Sequence, residues 1–174
     1  MTGSQVAVPL GLAVALALAA LTVVPAGIEA DNLLSAQDDP VQITEKGASN
    51  GGLWVDFPEQ TPRDLRMGVF PAMAEGEKPV PESDPQAPLV VVKKIGFKSG
   101  EWRHLVMSWE NLDSGKPDAK AVLYIDGEAV GRLEGRKIAM KWDLDRAGIY
   151  FAVNYLGLLD ELAVFDRALA PEEV

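Results

Sequence analysis

The stretch AVLYIDGEAVGRL, residues 121–133, reads as two apolar, alternating segments joined by Asp126 and Gly127. That dipeptide supplies the positive backbone dihedrals of a two-residue type I′ turn, whose twist suits antiparallel strands. A β-hairpin is expected here, and the same pattern continues on both sides of it. From Asp31 onward the chain consists of short alternating segments separated by turn residues, and helical period is almost absent. Strands are expected at residues 32–36, 53–57, 65–70, 89–97, 102–109, 121–125, 128–133, 149–154 and 162–165. Nine short strands with no long helix between them imply an all-β sandwich or barrel of antiparallel sheets.

Two connections are distinctive. AEGEKPVPESDPQAP, residues 74–88, is rich in Pro and Glu and has no period, so it is expected as a long exposed loop. ENLDSGKPDAK, residues 110–120, is a second turn-rich link. Only LAPEEV, residues 169–174, has a helical character, with Pro171 in a first-turn position and Glu172 and Glu173 at the positive helix end.

Composition narrows the function. A chain of 174 residues suits one domain with a sizeable core. Lys and Arg total 16 against 26 Asp and Glu, a formal charge of −10, which argues against nucleic acid because phosphate contacts need clustered cations. The absence of cysteine excludes disulfides, thiolate metal sites and a cysteine nucleophile, and the single histidine, His104, excludes a multi-histidine metal site.

VAVPLGLAVALALAALTVV, residues 6–24, carries no charge and is followed by PAGIEADN, in which Ala26 and Ala30 suit a signal peptidase. MTGSQ supplies no Lys or Arg ahead of it, and the run is long enough to span a bilayer uncleaved. Residues 1–30 are therefore expected as an apolar N-terminal helix, either a cleaved signal peptide or a membrane anchor. The rest is expected to lie outside the cytoplasm, secreted or in the cell envelope, touching membrane only through this segment if it is retained.

Three pieces in a fixed order, SGEWRHLVMSWE (99–110), AVLYIDGEAVG (121–131) and GLLDELAVFDRALAPEEV (157–174), resemble the laminin-G-like domains of the concanavalin A-like lectin and glucanase superfamily. The resemblance rests on Trp102 and His104, on Tyr124 with Asp126 and Gly127, on Gly157 with Asp160 and Glu161, and on Arg167, Ala168, Leu169, Glu172 and Glu173. The segments NLLSAQ, GGLWVDF and DLRMGVF are similar to the preceding family strands. The resemblance implies a jelly-roll sandwich of two antiparallel sheets over residues 31–174, with the apolar leader standing where the family has a further strand. Such a fold hosts binders and enzymes alike.

Glycoside hydrolysis usually needs two carboxylates flanking the sugar bond, about 5 to 5.5 Å apart for retention. Asp160 and Glu161 are adjacent, so on a strand they point to opposite faces, and the following Leu162, Ala163 and Val164 are apolar. The pair is expected to be architectural, with Arg167 available as an ionic partner. His104 has no serine in a nucleophile elbow nearby and is expected as a hydrogen-bonded, partly buried ring. No catalytic residue is assigned, and the chain is not expected to be an enzyme.

For sugar binding, an aromatic ring beside amide or carboxylate groups is the needed chemistry. Trp142, between Lys141 and Asp143, and Tyr155, beside Asn154, are the favoured candidates, whereas Trp54 and Tyr150 lie in alternating segments that read as core. Asp143, Asp145 and Asn154 complete the candidate ligand set. Some relatives bind calcium through Asp, Asn and carbonyl oxygens, and the same three residues offer hard oxygen ligands, but no EF-hand spacing is present and no metal site is assigned. The expected function is a non-catalytic, extracytoplasmic recognition module for carbohydrate or a cell-surface protein. The alternative is a structural or interaction domain of an envelope assembly without glycan affinity.

Overall fold

The computed structural model describes residues 14–23, 38–45, 52–58, 63–98, 100–141, 145–153 and 157–174. Among the described residues there are ten strands: β1 (Val14–Val23), β2 (Asp38–Glu45), β3 (Gly52–Phe57), β4 (Leu65–Phe70), β5 (Leu89–Val92), β6 (Arg103–Glu110), β7 (Ala119–Ile125), β8 (Glu128–Arg136), β9 (Ala147–Val153) and β10 (Gly157–Phe165). They form two five-stranded antiparallel sheets, sheet A in the order β10-β1-β6-β7-β8 and sheet B in the order β5-β4-β3-β2-β9. The expected two-sheet β-sandwich is thus observed.

The Asp126–Gly127 turn joins β7 to β8. Asp126 and Gly127 have φ of 52° and 84°, the left-handed values that a type I′ turn demands. Asp126 also anchors the turn: its Oδ1 accepts the His104 N–H at 3.0 Å and its Oδ2 accepts from Arg103 at 2.8 Å. The His104 N–H bond is the larger reason that the Asp126 carboxyl titrates below its ordinary range, with Arg103 adding to it.

Alternation builds the core. From sheet A, Leu105, Met107 and Trp109 of β6 and Ala121, Leu123 and Ile125 of β7 turn inward. They meet Leu53, Val55, Phe57, Leu65, Met67 and Val69 from β3 and β4. Burying each such aliphatic side chain is worth about 1.5–3 kcal/mol, so this layer is what holds the sheets together. Gly131 of β8 has no side chain because Val90 of β5 occupies the space where its Cβ would stand. That close approach joins the two sheets at this end.

Three differences from expectation have physical reasons. The expected N-terminal helix is not supported: Val14–Val23 is a strand of sheet A, paired with β10 on one side and β6 on the other. An uncharged Ala/Leu/Val run suits a doubly buried strand as well as a helix, and two neighbouring ladders satisfy its backbone groups. β2 went unread because DDPVQITE is broken by Pro40; the register shift between Asp38 and Val41 is where a residue without an N–H is tolerated. The strand expected over 89–97 ends at Val92, because Lys94 adopts φ of 51° and gives its N–H to Asp64 Oδ1 at 2.9 Å. The strand expected at 32–36 lies outside the described residues.

The C-terminus forms a single 3-10 turn, Pro171–Glu173, at the expected place. Arg167 grips Glu173 through two N–H bonds of 2.6 and 2.7 Å, and the Ala170 N–H donates to Glu173 Oε2 at 2.9 Å. Among the described residues, no helix is long and apolar enough to cross a membrane.

Candidate functional site

Each sheet presents an outer face, and the two are finished differently. On sheet A, Val106 of β6 and Tyr124 of β7 are buried beneath Leu169, with Val122, Phe165 and Val174 packed around them. The C-terminal turn therefore covers this face. A depression of about 420 Å³ remains beside it, floored by Ser108, Tyr124 and the Glu110–Lys120 ion pair of 2.8 Å. Charges facing one another across neighbouring strands are ordinary sheet stabilisation.

On sheet B, the register aligns Tyr150, Gln42, Trp54, Gly68 and Leu89 in one rank across β9, β2, β3, β4 and β5. Trp54 and Asp56 alternate with the inward Leu53, Val55 and Phe57, so both lie on the outer side. The indole lies over Gly68, whose Cβ would overlap the ring. Arg66, two residues along on β4, places its guanidinium carbon 5.2 Å from the Trp54 ring centroid. Arg66 is itself held by a fork of bonds to Asp56, 2.7 Å from Nε to Oδ1 and 2.5 Å between NH2 and Oδ2, and by a 2.7 Å bond from NH1 to Glu82. The bonds to Asp56 raise the Arg66 pKa above its ordinary value despite partial burial.

Glu82 belongs to the loop between β4 and β5. That loop is exposed through its middle as expected, but it is not detached. The Ala72 N–H bonds the Ala139 carbonyl at 2.7 Å, Arg136 bonds the Pro85 carbonyl at 3.0 Å, and the Val69 N–H bonds Pro88 O at 3.0 Å. The loop thus forms one wall of a groove of about 520 Å³ against sheet B, with the Trp54 edge at its base. Pro71, Met73, Pro79, Val80 and Leu89 supply apolar lining, and Glu77, Lys78, Glu82 and Lys137 supply polar groups. Met73 and Val80 are 44% and 46% exposed, so this part of the lining is open to solvent. An apolar concavity with a few convergent polar groups is the usual form of a small-ligand site.

Of the residues proposed from sequence, Trp142, Asp143, Asn154 and Tyr155 lie outside the described residues. Asp145 is exposed in the turn before β9. Among the described residues, no group of three or more His, Cys, Asp or Glu side chains is arranged to hold a metal. His104 is half-buried at the start of β6, and Trp102 before it is 49% exposed but belongs to neither groove. Asp160 and Glu161 are exposed on β10, with Asp160 Oδ1 accepting the Glu161 N–H at 2.9 Å and Glu161 at φ of 48°. Arg167 pairs with Glu173 and not with either of them. The groove residues Trp54, Arg66 and Glu82 were missed as a set. The usable signal was the alternation of GLWVDF and LRMGVF, which sends Trp54, Asp56, Arg66 and Gly68 to one side.

Comparison with known proteins agrees with this architecture. A laminin-G-type model described as the concanavalin A-like lectin/glucanases superfamily matches residues 81–174. No curated protein matches the chain in sequence. Among solved structures, the chain is similar to an alginate lyase Aly36B mutant in complex with alginate trisaccharide, at 11% identity and TM-score 0.54, covering 92% of this chain and 72% of that one. A second Aly36B structure, at 12% identity and TM-score 0.51, is covered over 59% of its length by 82% of this chain. The CBM40 of the Ruminococcus gnavus IT-sialidase, bound to α2,6-sialyllactose, is similar at 14% identity and TM-score 0.52, over 93% of this chain and 80% of that one. At these identities the likeness is one of fold.

Proposed function

The chain belongs to the concanavalin A-like lectin/glucanases superfamily, and we propose that it is a non-catalytic carbohydrate-recognition module acting outside the cytoplasm. The observation that carries this reading is the sheet B groove, where an indole edge, apolar loop residues and hydrogen-bonding side chains converge on a space of about 520 Å³. The apolar side chains suit the C–H faces of a pyranose, and Glu77, Lys78, Glu82 and Lys137 offer partners for its hydroxyls. Two nearby carboxylates support binding over catalysis: Asp56 is held by Arg66 through Nε and NH2, and Glu77 closes a local turn by accepting the Ala74 N–H at 2.7 Å.

One observation favours the second reading, a docking element without glycan affinity. Leu158, Leu162 and Val164 are 55%, 40% and 43% exposed on β10, an edge strand of sheet A. Retention of the full chain on polysaccharide affinity gels separates the two. Slowed migration on at least one glycan, weakened roughly five-fold or more by M73E or V80E, is the expected result; that factor corresponds to about 1 kcal/mol. Both positions are exposed, so their substitution tests the groove and not the core. Normal migration on every gel by the folded chain would favour docking. Binding abolished by chelator would move the site to the Asp143, Asp145 and Asn154 set.

A further inference from the structure

We infer that the sheet B groove binds glycans that carry an acidic group, and that Lys78 and Lys137 are the residues that read the charge; the inference rests on the carbohydrate-recognition reading above. The charged side chains of the lining are Glu77, Lys78, Glu82 and Lys137. Its two anions are already engaged: Glu82 accepts from Arg66 NH1 at 2.7 Å, and Glu77 accepts the Ala74 N–H at 2.7 Å. Its two cations are not. Both lysines are exposed, and among the described residues neither ammonium makes an ion pair or a hydrogen bond. Elsewhere on this chain, cations are taken up by neighbouring carboxylates: Lys93 by Asp64, Arg103 by Glu101 and Asp126, Lys120 by Glu110 and Arg167 by Glu173. With 26 acidic residues against 16 basic ones, two unpaired ammonium groups in one concavity are available to an anion from outside.

The two lysines reach the groove from separate pieces of chain. Lys78 stands on the loop between β4 and β5, and Lys137 directly follows β8. The Ala72 N–H bond to the Ala139 carbonyl, 2.7 Å, ties these pieces together beside the groove. Each ammonium carries three donors on a flexible stem, so it meets an acidic group as a point charge and treats carboxylate and sulfate alike. The ligand class is therefore set by charge: uronic, sialic or sulfated sugar residues. Pro71, Met73, Pro79, Val80 and Leu89 offer contact to the C–H faces of the ring, and their low-dielectric surface weakens screening of a charge pair formed beside them. Arg66 takes no part, because its Nε and NH2 donate to Asp56 and its NH1 to Glu82. The formal charge of −10 opposes the approach of a long polyanion, so short acidic oligosaccharides are the fitting ligands.

The test is isothermal titration of the full chain with oligogalacturonate, sialyllactose and a sulfated galactan oligosaccharide, each beside its neutral counterpart (the methyl ester, lactose and the desulfated oligosaccharide). The expected result is that at least one acidic probe binds more tightly than its counterpart, by roughly five-fold or more in about 0.05 M salt, and that the difference shrinks toward about 0.5 M. K78Q and K137Q should each lower affinity for that probe roughly two- to five-fold, as expected for an exposed ion pair. The double variant should lose more than either, with binding of the neutral counterpart unchanged, and K78R and K137R should retain the preference. Both positions are exposed, so these variants test the groove and not the core. Equal affinity for acidic and neutral probes would overturn this inference while leaving carbohydrate recognition intact. An acidic preference undiminished in the double variant would overturn the assignment to these lysines. Failure to bind any probe would overturn both readings.

Discussion

At the scale of single residues, the molecule separates carboxylates that hold the fold from those that line the sheet B groove. Glu173 is the clearest of the first kind. Arg167 in bidentate contact, and next the Ala170 N–H, lower its pKa from 4.5 to about 2. A carboxyl with a depressed folded-state pKa contributes stability that is fully present above its unfolded value and is lost as pH falls through the folded one. The stabilisation from this clasp should therefore be intact above about pH 4.5 and disappear toward about pH 2. Thermal melts across that window should show a steeper loss for the wild type than for E173Q, which lacks the titrating group; parallel curves would mean the clasp contributes nothing. The motif residues Arg167, Glu172 and Glu173 were visible in the sequence, but their pairing was not. Arg167 was matched to Asp160 and Glu161, which are nearer the strand, and the 3-10 turn brings Glu173 to it instead. Trp54 shows the same limit. Its alternation with Leu53 and Val55 was legible, whereas its burial to 6% exposure on an outward face depends on Arg66 and a distant loop, which no local pattern encodes.

At the scale of elements, β1 carries the strongest claim, because an apolar segment expected as a leader helix is a strand between β6 and β10. Ala17 is the position to test: it pairs with Val106 on one side and Ala163 on the other. Proline there removes an N–H from a central ladder and clashes with its neighbours. A17P should lower stability to denaturant by about 3 kcal/mol or more, while P40A, at the register shift of β2, should change it by less than about 0.5 kcal/mol. An A17P chain as stable as the wild type would place residues 14–23 outside the sheet. The segments β3, β4, β6, β7 and β8 were readable because each is a short run of strand-forming residues bounded by turn residues, with alternate side chains sent to opposite faces. β1 was not, because an uncharged Ala/Leu/Val run has the same composition whether its hydrogen bonds run along itself or to neighbours. Only the presence of β6 and β10 on either side decides between them.

At the scale of the whole molecule, the two outer faces divide the labour: the C-terminal turn seals sheet A around Tyr124, and the loop between β4 and β5 leaves sheet B with a walled groove. The family fold was legible from the order of three motifs, and the groove was not, since it forms where residues far apart in sequence meet. The chain contains four tryptophans, Trp54, Trp102, Trp109 and Trp142, and each indole N–H gives its own resonance. Trp109 is buried in the core at 1% exposure and Trp102 is exposed beyond the groove, so together they act as internal controls. The most direct measurement is therefore a two-dimensional ¹⁵N–¹H spectrum of the full chain during titration with the glycan that it retains, the indole signals being assigned with W54F, W102F and W142F. A saturable shift of the Trp54 resonance, with Trp109 and Trp102 unmoved, is the predicted result. A shift confined to Trp102 or Trp142 would contradict the placement of the site on sheet B.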